Sequence, residues 1–212
     1  MPEHFSFLLV GFALLLAVVS PGPDFVVVSK NSTMHSRQSG MWTAIGVGTA
    51  VTVHASYSLA GLGIIVEHSS LVFSIIKWAG ALYLTFLGAS LLLKKARPVA
   101  VPLPSGRESH GAHFSPLQSF AEGFGTNLLN PKAVIFFVGI FAQVVSPNSG
   151  LLAKALYVGE AGAIAAIWFL LLAWMLNLPM FRIVFARIMR PVQKIMGTLL
   201  IAFAVKLAFD RT

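Results

Sequence analysis

The feature that most restricts what this chain can fold into is a series of long apolar runs with almost no charge inside them. Crossing the hydrocarbon core of a bilayer takes about 20 mostly apolar helical residues. Six runs meet that need, at 5–29, 41–66, 71–93, 120–145, 151–178 and 192–209. Only 10% of the 212 residues are charged, where a soluble domain carries roughly 25%. Lipid rather than water is therefore the main solvent. The expected class is an all-α integral membrane protein with six transmembrane helices. The chain starts Met1-Pro2-Glu3-His4, without the basic region of a secretory signal, so the first run is expected to stay as a helix.

The net charge of +8 would point to nucleic acid in a soluble protein. Here the cations lie between the apolar runs, where they orient a membrane protein and imply no nucleic-acid partner. Lys30 and Arg37 follow the first run. Lys94, Lys95, Arg97 and Arg107 follow the third, and Arg182, Arg187 and Arg190 the fifth. The alternate loops, 67–70 and 146–150, hold no Lys or Arg. This alternation puts three loops inside and both termini outside.

Two of the six runs are interrupted by polar knots. The first is Ser20-Pro21-Gly22-Pro23-Asp24 and the second is Asn127-Leu128-Leu129-Asn130-Pro131-Lys132. Proline has no N–H and its ring clashes with the preceding turn, so regular helix stops at each knot. A kink alone does not account for the charge that follows each final proline. Placing an Asp or Lys at membrane depth costs about 2.5–3.5 kcal/mol, and such residues face a bundle interior or a cavity. Lys132 has a second reading, in which its aliphatic stem carries the ammonium toward an interface.

The two halves resemble each other. Pro23-Asp24-Phe25-Val26-Val27 parallels Pro131-Lys132-Ala133-Val134-Ile135. Lys77-Trp78-Ala79-Gly80-Ala81-Leu82, with Phe86 after it, parallels Lys194-Ile195-Met196-Gly197-Thr198-Leu199, with Phe203 after it. The expected organisation is a three-helix repeat at 1–93, a flexible cytoplasmic linker at 94–119 rich in Pro and Gly, and a second repeat at 120–212. Three crossings per copy make the second copy inverted, with broken first and fourth helices. Inverted repeats whose helices break in corresponding positions mark the binding site of a carrier.

The candidate substrate site is therefore Pro21, Gly22, Pro23 and Asp24 together with Asn127, Asn130, Pro131 and Lys132. Asp24 suits an ammonium or a coupling proton. Lys132 and the backbone donors of the second break suit a carboxylate. Asp24 and Lys132 are expected to pair when the site is empty. Asn127 and Asn130 offer amide donors and acceptors to a ligand; Asn130 also suits the cap of a helix restarting at Pro131. His54 and Glu160 lie deep in their runs and join Asp24 as candidates for proton coupling, since His titrates near neutral pH and a desolvated Glu approaches it. A packed, hydrogen-bonded histidine is the other reading of His54. Glu122 is expected at the inner edge of its run.

Several other features carry less. Gly46, Gly48, Gly80, Gly88 and Gly162 read mainly as close-packing residues between helices. The tryptophans read as interface anchors. His110 and His113 in the linker lack a supporting carboxylate or thiol cluster, so no metal site is expected. There is no cysteine and no Gly-Lys-Ser/Thr phosphate loop, so neither a cofactor nor ATP is expected.

With these residues in view, the chain resembles the lysine-exporter and homoserine/threonine-exporter family (LysE/RhtB). The first knot, followed by Gly40 and Gly46, resembles that family's first-half motif. Residues 123–137, containing Thr126-Asn127-Leu128-Leu129-Asn130-Pro131-Lys132-Ala133, resemble its second-half motif, and Gly80-Ala81-Leu82-Tyr83-Leu84 with Gly88 its third-helix pattern. The resemblance implies a bacterial inner-membrane exporter of amino acids or close derivatives, driven by an ion gradient, usually protons. Its partners would be the substrate, protons and lipid, and a homodimer is compatible with a carrier this small. The alternatives are export of another solute such as a metal ion, an intramembrane enzyme, or a scaffold subunit. An enzyme would need a nucleophile and base or a metal cluster at membrane depth, and no His-Glu-x-x-His spacing is present. A scaffold would leave Asp24 and Lys132 without a purpose.

Overall fold

The computed structural model describes residues 3–93, 114–144 and 149–209. Among the described residues all regular structure is helical, in eight α-helices and one π-helical turn. The α-helices are α1 (Glu3–Val19), α2 (Pro23–Lys30), α3 (Arg37–His68), α4 (Ser70–Leu93), α5 (Pro116–Leu128), α6 (Pro131–Val144), α7 (Leu151–Met175) and α8 (Pro179–Phe209). The expected linker with His110 and His113, and the cations Lys94, Lys95, Arg97 and Arg107, lie outside the described residues.

Three helices are long and apolar enough to cross a membrane: α3, α4 and α7. Two further spans arise if each bent pair counts as one, α1 with α2 and α5 with α6. The bends are 59° and 58°. Their similarity follows from their cause. Both second segments start on a proline, Pro23 and Pro131, and proline is best tolerated where the missing N–H would have been unpaired anyway. Among the described residues none has a positive φ, so missing N–H groups rather than left-handed turns make the breaks. Gly22 before α2 is extended, at φ −153° and ψ −168°.

Other boundaries differ from the sequence reading. After α2 comes one π-helical turn, Asn31–His35, and then Ser36 caps α3 by accepting from Ser39 N at 3.0 Å. The expected loop after the first run is thus almost wholly helical. α5 begins at Pro116, four residues before the expected run, because Ser115 and Gln118 form a reciprocal capping box ahead of it. α8 begins at Pro179 and runs through Pro191, so Arg182, Arg187 and Arg190 stand on a helix rather than in a loop. Arginine is a good helix former, and a proline inside a membrane helix is accommodated by its neighbours.

α3 packs along α5 and α7, and α4 along α8 and α6. Glycines set the closeness of these contacts. A Cβ on Gly46 would lie 2.2 Å from Phe120 O, and one on Gly123 only 2.1 Å from Thr43 O. Gly48 meets Ala166 between α3 and α7, Gly80 meets Gly139 between α4 and α6, and Gly88 meets Gly197 between α4 and α8. Without a hydrophobic drive between helices in lipid, such close backbone approach supplies the packing energy. The core forms two clusters. One holds Leu14, Phe136, Phe137 and Phe141, the other Phe25, Val28, Phe169 and Leu176. Large apolar side chains such as Leu82 and Phe86 face outward at 69% and 67% exposure, which suits lipid and not water.

Candidate functional site

The two breaks meet at one cavity. It is lined by Ser20, Gly22, Asp24 and Phe25 from the first break and by Asn127, Asn130, Lys132 and Ala133 from the second. Leu14, Val51, Phe136, Phe137 and Phe169 complete its apolar wall. Pro21, Pro23 and Pro131 make the breaks but are not among the lining residues.

Asp24 is held by the opposite half. Its Oδ2 accepts from Asn127 Nδ2 at 3.0 Å and from Asn130 Nδ2 at 3.2 Å. Its Oδ1 is buried without a partner, and so is Asn127 Oδ1. The charge of Lys132 acts on Asp24 across the same cavity, but the hydrogen bonds to the carboxylate come from the two amides. Asn130 does two things at once. While its Nδ2 holds Asp24, its Oδ1 accepts from the Lys132 backbone N at 3.0 Å and caps α6.

Pro21 and Pro131 also each free a carbonyl. In an unbroken helix Ala17 O would accept from residue 21, but Pro21 has no N–H. Lys132 Nζ donates to that oxygen instead, at 3.3 Å. Asn127 O would accept from residue 131, and Pro131 has none to give. His54 Nε2 takes its place at 3.0 Å, helped by a tight bond from Asn130 N at 2.9 Å. A carbonyl only accepts, so the His54 proton sits on Nε2, and Nδ1 faces the Tyr57 hydroxyl. His54 is 1% exposed and stacks on Phe137. It thus stands behind the site, on the backbone of Asn127, rather than on the cavity wall.

Glu160 is elsewhere. It packs on α7 against Gly11 of α1, beside a groove lined by Phe7, Leu8, Leu152 and Leu156. Its Oε2 is buried without a partner.

Sequence reasoning left two groups out of the site. Tyr83 on α4 donates its hydroxyl to Lys132 O at 3.2 Å; its place in the Gly80-Ala81-Leu82-Tyr83-Leu84 pattern was the available signal. At the end where α2, α3 and α5 meet, Lys30 pairs with Glu122. Asn31 Nδ2 donates to Thr43 Oγ1 at 2.9 Å and to Glu122 Oε2 at 2.8 Å. Ser39 and Ser119 share a hydroxyl bond at 2.7 Å. A cation just after the first broken run, Lys30, and an acid near the start of the second, Glu122, were the signal for this lock. Among the described residues no three His, Asp or Glu side chains cluster as a metal site.

A family model described as LysE type translocator matches residues 7–211. This chain belongs to the LysE type translocators. It is a transporter, not an enzyme, and a multi-pass membrane protein. The translocator is similar to the threonine efflux protein of Escherichia coli (strain K12), 33% identical over 212 residues, covering 97% of this chain and 98% of that protein. It is likewise 32% identical to the threonine efflux protein of Salmonella typhi over the same shares. It is 26% identical to an uncharacterized membrane protein, YrhP, of Bacillus subtilis (strain 168), across 90% of this chain and 92% of that one. No solved structure gives a significant match.

Proposed function

We propose that this translocator exports amino acids or close derivatives across the bacterial inner membrane, driven by an ion gradient, with protons as the coupling ion. The observation that carries the reading is the Asp24 carboxylate, held by Asn127 and Asn130 and facing a cavity that Lys132 shares. An acidic and a basic side chain on one cavity match the two charges of an amino acid, and the threonine efflux relatives agree with that class.

The architecture that fits is six spans in two inverted three-helix repeats, with both termini outside. The sixth span would be the apolar stretch Pro191–Val205 of α8. Matching bends of 59° and 58° support this arrangement. So does the pairing of second helix with second, α3 on α7, and of third with third, α4 on α8. Asp24 would hold the substrate ammonium or the proton. His54 would act by keeping Asn127 in place, and Glu160 would exchange protons away from the cavity. Rocking of one repeat against the other would alternate access.

Flux in proteoliposomes, against a panel of amino acids with and without a pH gradient, tests the reading. The expected result is accumulation of at least one amino acid that collapses with the gradient. Movement of no amino acid under any gradient would sink it, and cadmium in the same panel tests the metal-ion alternative.

A further inference from the structure

The two breaks differ at the helix N-termini they create. The first turn of α6 is filled. Pro131 has no N–H, Lys132 N donates to Asn130 Oδ1 at 3.0 Å, and Ala133 N donates to Asn130 O at 3.0 Å. The first turn of α2 is open. Pro23 has no N–H, Gly22 offers no capping side chain, and the first bond back runs from Val26 N to Gly22 O at 3.1 Å. Asp24 lies in that turn but does not cap it, because its Oδ2 is turned to Asn127 and Asn130. Among the described residues no atom accepts from the N–H groups of Asp24 and Phe25. Unpaired donors with a partial positive charge are costly within a membrane protein unless something occupies them.

Independent observations converge on the same spot. Gly22, Asp24 and Phe25 all line the cavity. The ammonium of Lys132 stands beside Gly22, 3.8 Å from where a Cβ would be. Asn127 is 2% exposed, lines the same cavity, and its Oδ1 has no partner. Open donors and a cation thus share one cavity with two residues, Asp24 and Asn127, that each keep a buried acceptor oxygen without a partner. That is the complement of a carboxylate and an ammonium carried on one carbon.

We propose that the open N-terminus of α2, with Lys132 beside it, is the subsite for the substrate carboxylate, and that Asp24 Oδ1 and Asn127 Oδ1 receive the ammonium. This rests on the amino-acid reading above and assigns the anion to the first break, since Asn130 already fills the second. The remaining lining, which includes Leu14, Val51, Phe136, Phe137 and Phe169, is uncharged. A charged substrate side chain would find no partner there. The class that fits is an α-amino acid with an uncharged side chain.

The test is to supply the missing cap from within. The extended backbone of Gly22 suits any residue, and its Cβ position has room. Gly22→Asn would cap α2 and occupy the place of the carboxylate without adding charge. The full chain, purified in detergent, is assayed by ligand-induced thermal stabilisation with L-threonine, L-threonine amide, which lacks the carboxylate, and butyrate, which lacks the ammonium. Wild type is expected to prefer L-threonine over its amide at least tenfold. In Gly22→Asn that preference falls to within twofold while the unfolding temperature of the ligand-free protein rises. Lys132→Met loses the preference without the rise. A cap that stabilises the fold while it removes carboxylate recognition is not what a purely structural glycine would give. If both variants keep the preference, or Gly22→Asn unfolds below wild type, the subsite is wrong and amino-acid export stands. If only butyrate binds and Gly22→Asn abolishes it, the subsite stands and the amino-acid reading fails. If none of the three probes binds wild type, both fail.

Discussion

His54 Nε2 stands 3.0 Å from the carbonyl oxygen of Asn127, the oxygen that Pro131 leaves without its helical partner. Lys132 Nζ does the same for Ala17 O, which Pro21 leaves open. Each half of the chain therefore supplies the side chain that repairs the other half's break. A freed carbonyl in lipid costs several kcal/mol if nothing takes it, so these two bonds tie the two halves together at the breaks.

Replacing His54 by Phe should preserve the stacking on Phe137 but strip Asn127 O of one of its two donors, leaving only Asn130 N. The expected destabilisation is about 0.5–1.5 kcal/mol, the net worth of one hydrogen bond. His54→Gln, which keeps a donor, should recover part of it. Thermal unfolding of the three proteins in detergent decides the matter; equal unfolding temperatures would mean that the imidazole is not needed there.

Asp24→Asn should separate function from fold. An amide oxygen still accepts from Asn127 or Asn130, so the unfolding temperature should change little, whereas the charge that would hold an ammonium or a proton is gone. Flux in proteoliposomes is expected to fall to background. Retained flux in a folded Asp24→Asn protein would remove Asp24 from the transport site.

The glycine contacts predict a contrast within one helix. Gly123→Ala forces a Cβ against Thr43 O and should cost about 1–3 kcal/mol by overpacking. Gly125→Ala, two residues on, meets nothing within 4 Å and should be neutral or slightly stabilising through helix propensity. Yield and unfolding temperature of the pair test this; similar behaviour would show that α3 and α5 can move apart freely.

The Lys30 and Glu122 pair is only partly buried, with side chains 35% and 29% exposed. A double-mutant cycle with Lys30→Met and Glu122→Gln should therefore give a coupling of only about 0.2–1 kcal/mol. Glu122→Gln alone should cost less than Glu122→Ala, because Gln still accepts from Asn31. A coupling near zero would mean that Asn31 and the serine bond, rather than the ion pair, hold this end together.

Much of the helical layout was legible in the chain. The apolar runs at 41–66, 71–93 and 151–178 correspond to α3, α4 and α7, and both breaks fall where Pro21, Pro23 and Pro131 stand. Helix ends were less legible. Arg182, Arg187 and Arg190 looked like loop residues because charge was read as a boundary, yet they continue α8. The start of α5 was missed because its signal is the capping pair Ser115 and Gln118, not hydropathy.

By itself the sequence determined the solvent and the positions of the two breaks, since apolar run length and a proline's missing N–H are properties of a few adjacent residues. Only the tertiary structure decided who takes the groups those breaks set free. The amide that holds Asp24 comes from Asn127, 103 residues away, and the donor to Ala17 O from Lys132, 115 residues away. It also decided that Asn130 fills the start of α6 while the start of α2 stays open. Hydrogen-bond pairing across the cavity depends on which helices pack together, and no local pattern carries that information.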